Sequence, residues 1–75
     1  MRIAIVGLGI QGEKRLKYLK NDIVLTIDPY NSKADYRKIE EAPLQLFDTV
    51  FICTPDKPKF EIIKFFLNNK KNVLV

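Results

Sequence analysis

The chain's three glycines fall together as Gly7-Leu8-Gly9-Ile10-Gln11-Gly12, directly behind the apolar run Ile3-Ala4-Ile5-Val6. Glycines at this spacing can hold a phosphate. Gly7 allows a tight turn, Gly9 removes the side chain that would keep an anion off the backbone, and Gly12 lets a following helix pack close to the strand. The start of that helix offers unpaired N–H groups and a partial positive charge to the same phosphate. Asp28 stands 21 positions after Gly7, near the roughly 20-residue offset at which an acid receives the hydroxyls of an adenosine ribose. Gly7, Leu8, Gly9, Ile10, Gln11, Gly12 and Asp28 therefore make up the expected site for a dinucleotide cofactor. Two plainer readings stand beside it. The glycines could form a strand-to-helix turn that holds nothing, and Asp28 could serve only the turn before Pro29. An acid at position 28 would repel a 2′-phosphate, which favours NAD over NADP; Lys33, a few residues on, works the other way.

A second candidate group is Cys53-Thr54-Pro55, which ends the apolar run Val50-Phe51-Ile52. If that run pairs beside the first strand, these residues reach the point where strand order reverses, and they would border the cofactor there. The alternative is an ordinary strand-ending turn. A nucleophilic Cys53 would want a histidine partner, and the chain has none. No catalytic residue and no metal ligand is assigned.

The elements that must position these residues can be read from periodicity. Arg2 to Val6 is continuously apolar after its first residue, as buried parallel strands are. A helix from about Ile10 to Lys20 would place Gly12, Leu16 and Leu19 on one stripe. Glu13 and Lys17 form a favourable pair on its other side, and Asn21 is expected to cap its end. Ile23 to Asp28 is the second strand. Within Lys33 to Leu46, Lys33-Ala34 is expected as a vestigial strand and Asp35 as the cap of a short helix through Tyr36, Ile39 and Glu40, ended by Pro43. Thr49 to Cys53 is the next strand. Asp56 would cap a helix that tolerates Pro58 in its first turn and runs to about Asn68. Its main apolar stripe would be Phe60, Ile63 and Leu67, flanked by Ile62 and Phe66. Asn69 or Lys70 ends it, and Asn72 to Val75 is a last strand. This alternation predicts an α/β fold: a doubly wound parallel sheet of about four strands with flanking helices, a partial Rossmann fold.

Bulk properties narrow the class. At 75 residues the chain is one domain at most. The lone Cys53 lies in an apolar run, which fits a reduced, cytoplasmic protein with a buried thiol. No secretory leader is expected, because Met1-Arg2 is followed by only four apolar residues before Gly7, and no apolar run comes near the ~20 residues needed to cross a bilayer. The net charge of +4 is spread over helix faces; a nucleic-acid binder would show a focused basic stripe, so neither nucleic acid nor membrane is expected as a partner.

Phe47-Asp48-Thr49-Val50-Phe51-Ile52-Cys53-Thr54-Pro55-Asp56 resembles the D-x-V-x-I-x-T-P-N/D segment of the Gfo/Idh/MocA oxidoreductases. Lys70-Lys71-Asn72-Val73-Leu74-Val75 is similar to that family's G-K-H-V-L-x strand, and Asp35-Tyr36 to the D-Y/F that often opens its intervening short helix. With the glycine motif and Asp28, the resemblance covers essentially the whole chain. It departs at Arg15 and Lys59, where histidines are common, and at Lys70, where glycine is usual. The resemblance implies NAD(P) binding in an oxidoreductase acting on a sugar, inositol or sugar nucleotide. It also implies that the sequence given covers the N-terminal part of the cofactor domain, ends before the family's E-K-P lysine, and would not be a competent enzyme alone. A regulatory nucleotide-binding module of the TrkA or redox-sensor type is the alternative. The final strand would be an open sheet edge, through which a homo-oligomer is expected.

Overall fold

The computed structural model of the protein describes residues 1–54 and 56–75, with side chains throughout these except at 56–58. Four strands form one sheet: β1 (Ile3–Val6), β2 (Ile23–Ile27), β3 (Thr49–Ile52) and β4 (Asn72–Leu74). All three pairings are parallel, in the order β2-β1-β3-β4. Helix α1 (Ile10–Tyr18) joins β1 to β2, and α2 (Asp56–Asn68) joins β3 to β4. The fold is thus the expected doubly wound α/β arrangement. Among the described residues, no helix is long and apolar enough to cross a membrane.

Alternation along the strands divides the interior into two faces. Ala4, Val6, Leu25, Ile27, Val50 and Ile52 share one face and pack with Phe47 and Phe66 in the main core. Ile3 and Ile5 lie on the other face and are also buried. Both faces of β1 are therefore covered, which is why its sequence is continuously apolar rather than alternating. Phe66 from α2 meets Phe47 edge-on at 5.9 Å between ring centroids, and Phe65 meets Phe66 at 5.1 Å. Such pairs add about 0.5–1.5 kcal/mol each beyond their area burial.

This packing corrects the expected face of α2. Phe66 is fully buried, whereas Phe60 is 69% and Leu67 56% exposed. Ile62, Ile63 and Phe66 form the inward stripe. Both stripes satisfy helical spacing; the aromatic contact with Phe47, remote in sequence, selects between them. The expected roles of Asp56 and Pro58 lie outside the described side chains.

The end of α1 differs from expectation, whereas α2 runs to Asn68 and is closed at Lys70, as expected. Helix α1 stops at Tyr18, and the Leu19 carbonyl accepts from the N–H groups of Asp22 and Ile23, so Asn21 is not its cap. Two residues past the end of α2, Lys70 has a left-handed φ of 61°. The Lys71 N–H reaches the Phe66 carbonyl and the Lys70 N–H that of Leu67, a Schellman closure. The Lys71 ammonium then donates to the Leu44 carbonyl at 2.6 Å and that of Phe47 at 2.8 Å, fastening the start of β4 to the segment before β3.

The stretch between β2 and β3 is where local reading failed. Asp35 caps no helix. Its carboxylate accepts from the Thr26 N–H at 2.9 Å and from the Thr26 hydroxyl at 3.2 Å, while its own N–H donates to Thr26 Oγ1. Tyr36, not Lys33-Ala34, supplies the vestigial strand, as a single parallel bridge to Ile27. Two short 3-10 turns follow, Ile39–Glu41 and Leu44–Leu46. Glu41 accepts from the N–H groups of Arg37 and Lys38 in place of the expected Asp35 cap.

Candidate functional site

Strand β1 lies between β2 and β3, so the connections leaving it and β3 run in opposite directions across the sheet. The crevice at the carboxyl ends of β1 and β3 is the switch point at which ligands bind in open α/β sheets. The glycine turn and Cys53-Thr54 both arrive there.

The three glycines have different structural reasons. Gly7 has φ 96°, and a Cβ on it would stand 3.0 Å from the carbonyl carbon and oxygen of Cys53. Gly12 is buried in α1, and a Cβ there would lie 1.8 Å from the Gly7 carbonyl oxygen. These two are required by close approach within the chain. Gly9 is not: its φ of −77° suits any residue, and nothing lies within 4 Å of the position a Cβ would take. The space beside Gly9 is open.

Around that space the helix start presents backbone donors. The first α1 bond outside the helix proper runs from the Glu13 N–H to the Gly9 carbonyl. Among the described residues, the N–H groups of Gly9, Ile10, Gln11 and Gly12 have no acceptor outside the helix. Ile10 and Gln11 are exposed at the rim, while the Leu8 side chain is buried beneath the turn.

Asp28 follows β2 and reaches this loop. Its Oδ2 accepts from the Leu8 N–H at 2.7 Å, and its Oδ1 accepts from the Tyr30 N–H at 2.8 Å. It is thus both the turn former before Pro29 and a tether to the glycine loop. Each carboxylate oxygen retains a lone pair for a further donor such as a ribose hydroxyl. Asn31, which spacing did not single out, donates from Nδ2 to the Leu8 carbonyl at 3.3 Å and accepts the Lys33 N–H at Oδ1. The Asn-x-Lys pattern hints at a local turn but not at the contact with Leu8.

On the β3 side, the Cys53 N–H donates to the Val6 carbonyl at 2.8 Å. Burial pushes the Cys53 thiol above its ordinary pKa, against the opposing pull of Arg15 and Lys59. That suits a packing thiol rather than a nucleophile. Thr54 Oγ1 is buried without a hydrogen-bond partner among the described residues. With Gln11, Arg15, Cys53, Lys59 and Val75 it lines a groove of about 230 Å³. Arg15 also stacks over Phe51, its guanidinium carbon 5.3 Å from the ring centroid. Pro55 lies outside the described residues. The structure therefore brings together Gly7, Leu8, Gly9, Ile10, Gln11, Gly12, Asp28, Cys53 and Thr54 at one crevice. Among the described residues, no group of three His, Cys, Asp or Glu is placed to hold a metal ion.

No family model, curated protein or solved structure matches the chain.

Proposed function

We propose that the chain binds an adenine dinucleotide, NAD in preference to NADP, across the glycine turn. In this reading it is the cofactor-binding part of an oxidoreductase of the Gfo/Idh/MocA kind, with a sugar, inositol or sugar nucleotide as substrate. The observation that carries the proposal is Gly9. It is a glycine with no conformational or packing reason of its own, set at a helix start beside open space and next to a carboxylate.

The residues present fit the cofactor. The N–H groups at the start of α1, without acceptors among the described residues, would receive the pyrophosphate, helped by the helix dipole. Asp28 would accept the adenosine ribose hydroxyls with its remaining lone pairs and repel a 2′-phosphate. The Thr54 hydroxyl, which has no hydrogen-bond partner among the described residues, lies in the groove toward β3 and would gain one from the nicotinamide half. When bound, the nicotinamide supplies hydride transfer; the chain's own residues bind it and fix its orientation.

The test is direct titration with NADH. The chain has no tryptophan, so nicotinamide emission is free of energy transfer from indole. A saturable rise in NADH fluorescence is expected, with NADPH binding more weakly. No change up to millimolar NADH would sink the proposal.

A further inference from the structure

Leu8 lies between Gly7 and Gly9, the two residues of the loop least constrained by their own backbone. Its buried side chain fixes where the loop sits, but not how the peptide planes on either side are turned. Two side chains from the turn after β2 do that. Asp28 Oδ2 holds the Leu8 N–H at 2.7 Å, and Asn31 Nδ2 holds the Leu8 carbonyl at 3.3 Å. The Asn31 amide cannot turn over without loss, because its Oδ1 already accepts the Lys33 N–H at 2.9 Å.

The Leu8 carbonyl belongs to the same planar trans peptide as the Gly9 N–H, so the two point in opposite directions. Whatever fixes the carbonyl also aims the Gly9 N–H. Resting on the dinucleotide reading, we infer that Asn31 is a positioning residue. With Asp28 it clamps both polar backbone atoms of Leu8 and so aims the Gly9 N–H at the phosphate site. Asn31 itself touches no part of the ligand. Asparagine is needed because one amide must donate to Leu8 and accept from Lys33 at once; an aspartate would set an oxygen against the Leu8 carbonyl.

The test compares the full chain with Asn31→Ala and Asn31→Asp. Adenosine, which meets Asp28 but carries no phosphate, and ADP and NADH, which carry it, are titrated by NMR and fluorescence. Asn31→Ala should weaken ADP and NADH about tenfold, roughly the worth of one hydrogen bond, while adenosine affinity and the melting temperature hold. Asn31→Asp should weaken them further. Equal losses for adenosine and ADP, or none, would overturn the inference. A readout without ligand separates it from the reading it rests on. In Asn31→Ala the Gly9 amide resonance should shift and broaden while core resonances stay fixed. If the parent chain binds no NADH but Gly9 responds in this way, the dinucleotide reading fails and the clamp stands. If Gly9 does not respond, the clamp itself is refuted.

Discussion

Alanine placed in turn at the three glycines separates a structural turn from a ligand-holding one. At Gly9 the new Cβ meets no atom within 4 Å, and the backbone angles of −77° and −158° are open to alanine. Alanine lowers unfolded-state entropy by about 0.4–1 kcal/mol in its favour, but is a poorer N-cap than glycine by about 0.5–1 kcal/mol. The two nearly cancel, so Gly9→Ala should fold within about 0.5 kcal/mol of the parent. For a domain of this size that is at most about 4 °C in melting temperature. At Gly12 the Cβ would fall 1.8 Å from the Gly7 carbonyl oxygen and 2.8 Å from its carbon. Those are backbone atoms tied into the sheet, so α1 must be driven off β1. The cost belongs at or above the top of the ~1–3 kcal/mol range for overpacking. Gly7→Ala forces an L-residue to φ 96° against Cys53 and should cost at least about 1–2 kcal/mol. Urea melts and NADH titrations of the three variants supply the readings. Gly9→Ala should keep its stability yet lose at least about tenfold in NADH affinity, equivalent to about 1.4 kcal/mol. Undiminished NADH binding by Gly9→Ala would refute the reasoning, because the open space would then have no ligand in it.

Four further outcomes are expected. Phe66→Ala should destabilise by about 3–5 kcal/mol, whereas Phe60→Ala on the exposed side of α2 should stay within about 0.5 kcal/mol; chemical denaturation checks which face is inward. Lys70→Gly should stabilise the chain by up to about 1 kcal/mol, since glycine takes the left-handed φ of 61° without strain; thermal melts decide it. The Thr49 hydroxyl, with smaller help from the Arg2 backbone and charges nearby, holds the Asp48 carboxyl below its ordinary value of 3.8. A depressed folded-state pKa means this contribution is present above pH 3.8 and is lost as pH falls through the lower folded value; Asp48→Asn should remove that part of the acid transition in pH-dependent melts. Finally, we propose that the chain self-associates through the outer edge of β4. Sedimentation velocity should show concentration dependence that Leu74→Lys abolishes, and a monomer at millimolar concentration would dismiss it.

What could be read from sequence was whatever local pattern determines. The continuous apolar runs at β1 and β3 identify strands buried on both sides, and the glycine turn and Asp28 follow from spacing because the βαβ unit has a nearly fixed length. The reading broke down wherever two local solutions were equally good and a distant contact chose between them. Phe60 and Phe66 both lie on acceptable stripes until Phe47 arrives from before β3. Asp35 is a good helix cap by type, but the Thr26 N–H on the edge of β2 is an unpaired donor in the sheet and takes its carboxylate. Asn31 escaped notice because its partner, the Leu8 carbonyl, lies 23 residues away in sequence. Lys70 was legible as one of two residues that could end α2; its left-handed φ shows how it does so.

The same distant contacts explain why the crevice opens in one direction. On the β2 side the loop after β1 is closed off by Asp28 and Asn31, which consume both polar atoms of Leu8. Against β3, Gly7 and Gly12 leave no room even for a methyl group beside Cys53 and the Gly7 carbonyl. Beneath, Leu8 fills the space under the turn with its buried side chain. Each of these contacts removes a way for the loop to satisfy itself from within the chain. What remains is the outward side of Gly9, where the backbone donors at the start of α1 lack partners among the described residues. A loop held so firmly on its other sides has already lost the entropy of ordering, and a ligand that docks against it does not have to supply it. That is the physical sense in which the turn is preorganised, and it is why loosening one clamp at Asn31 should reach binding without reaching the fold.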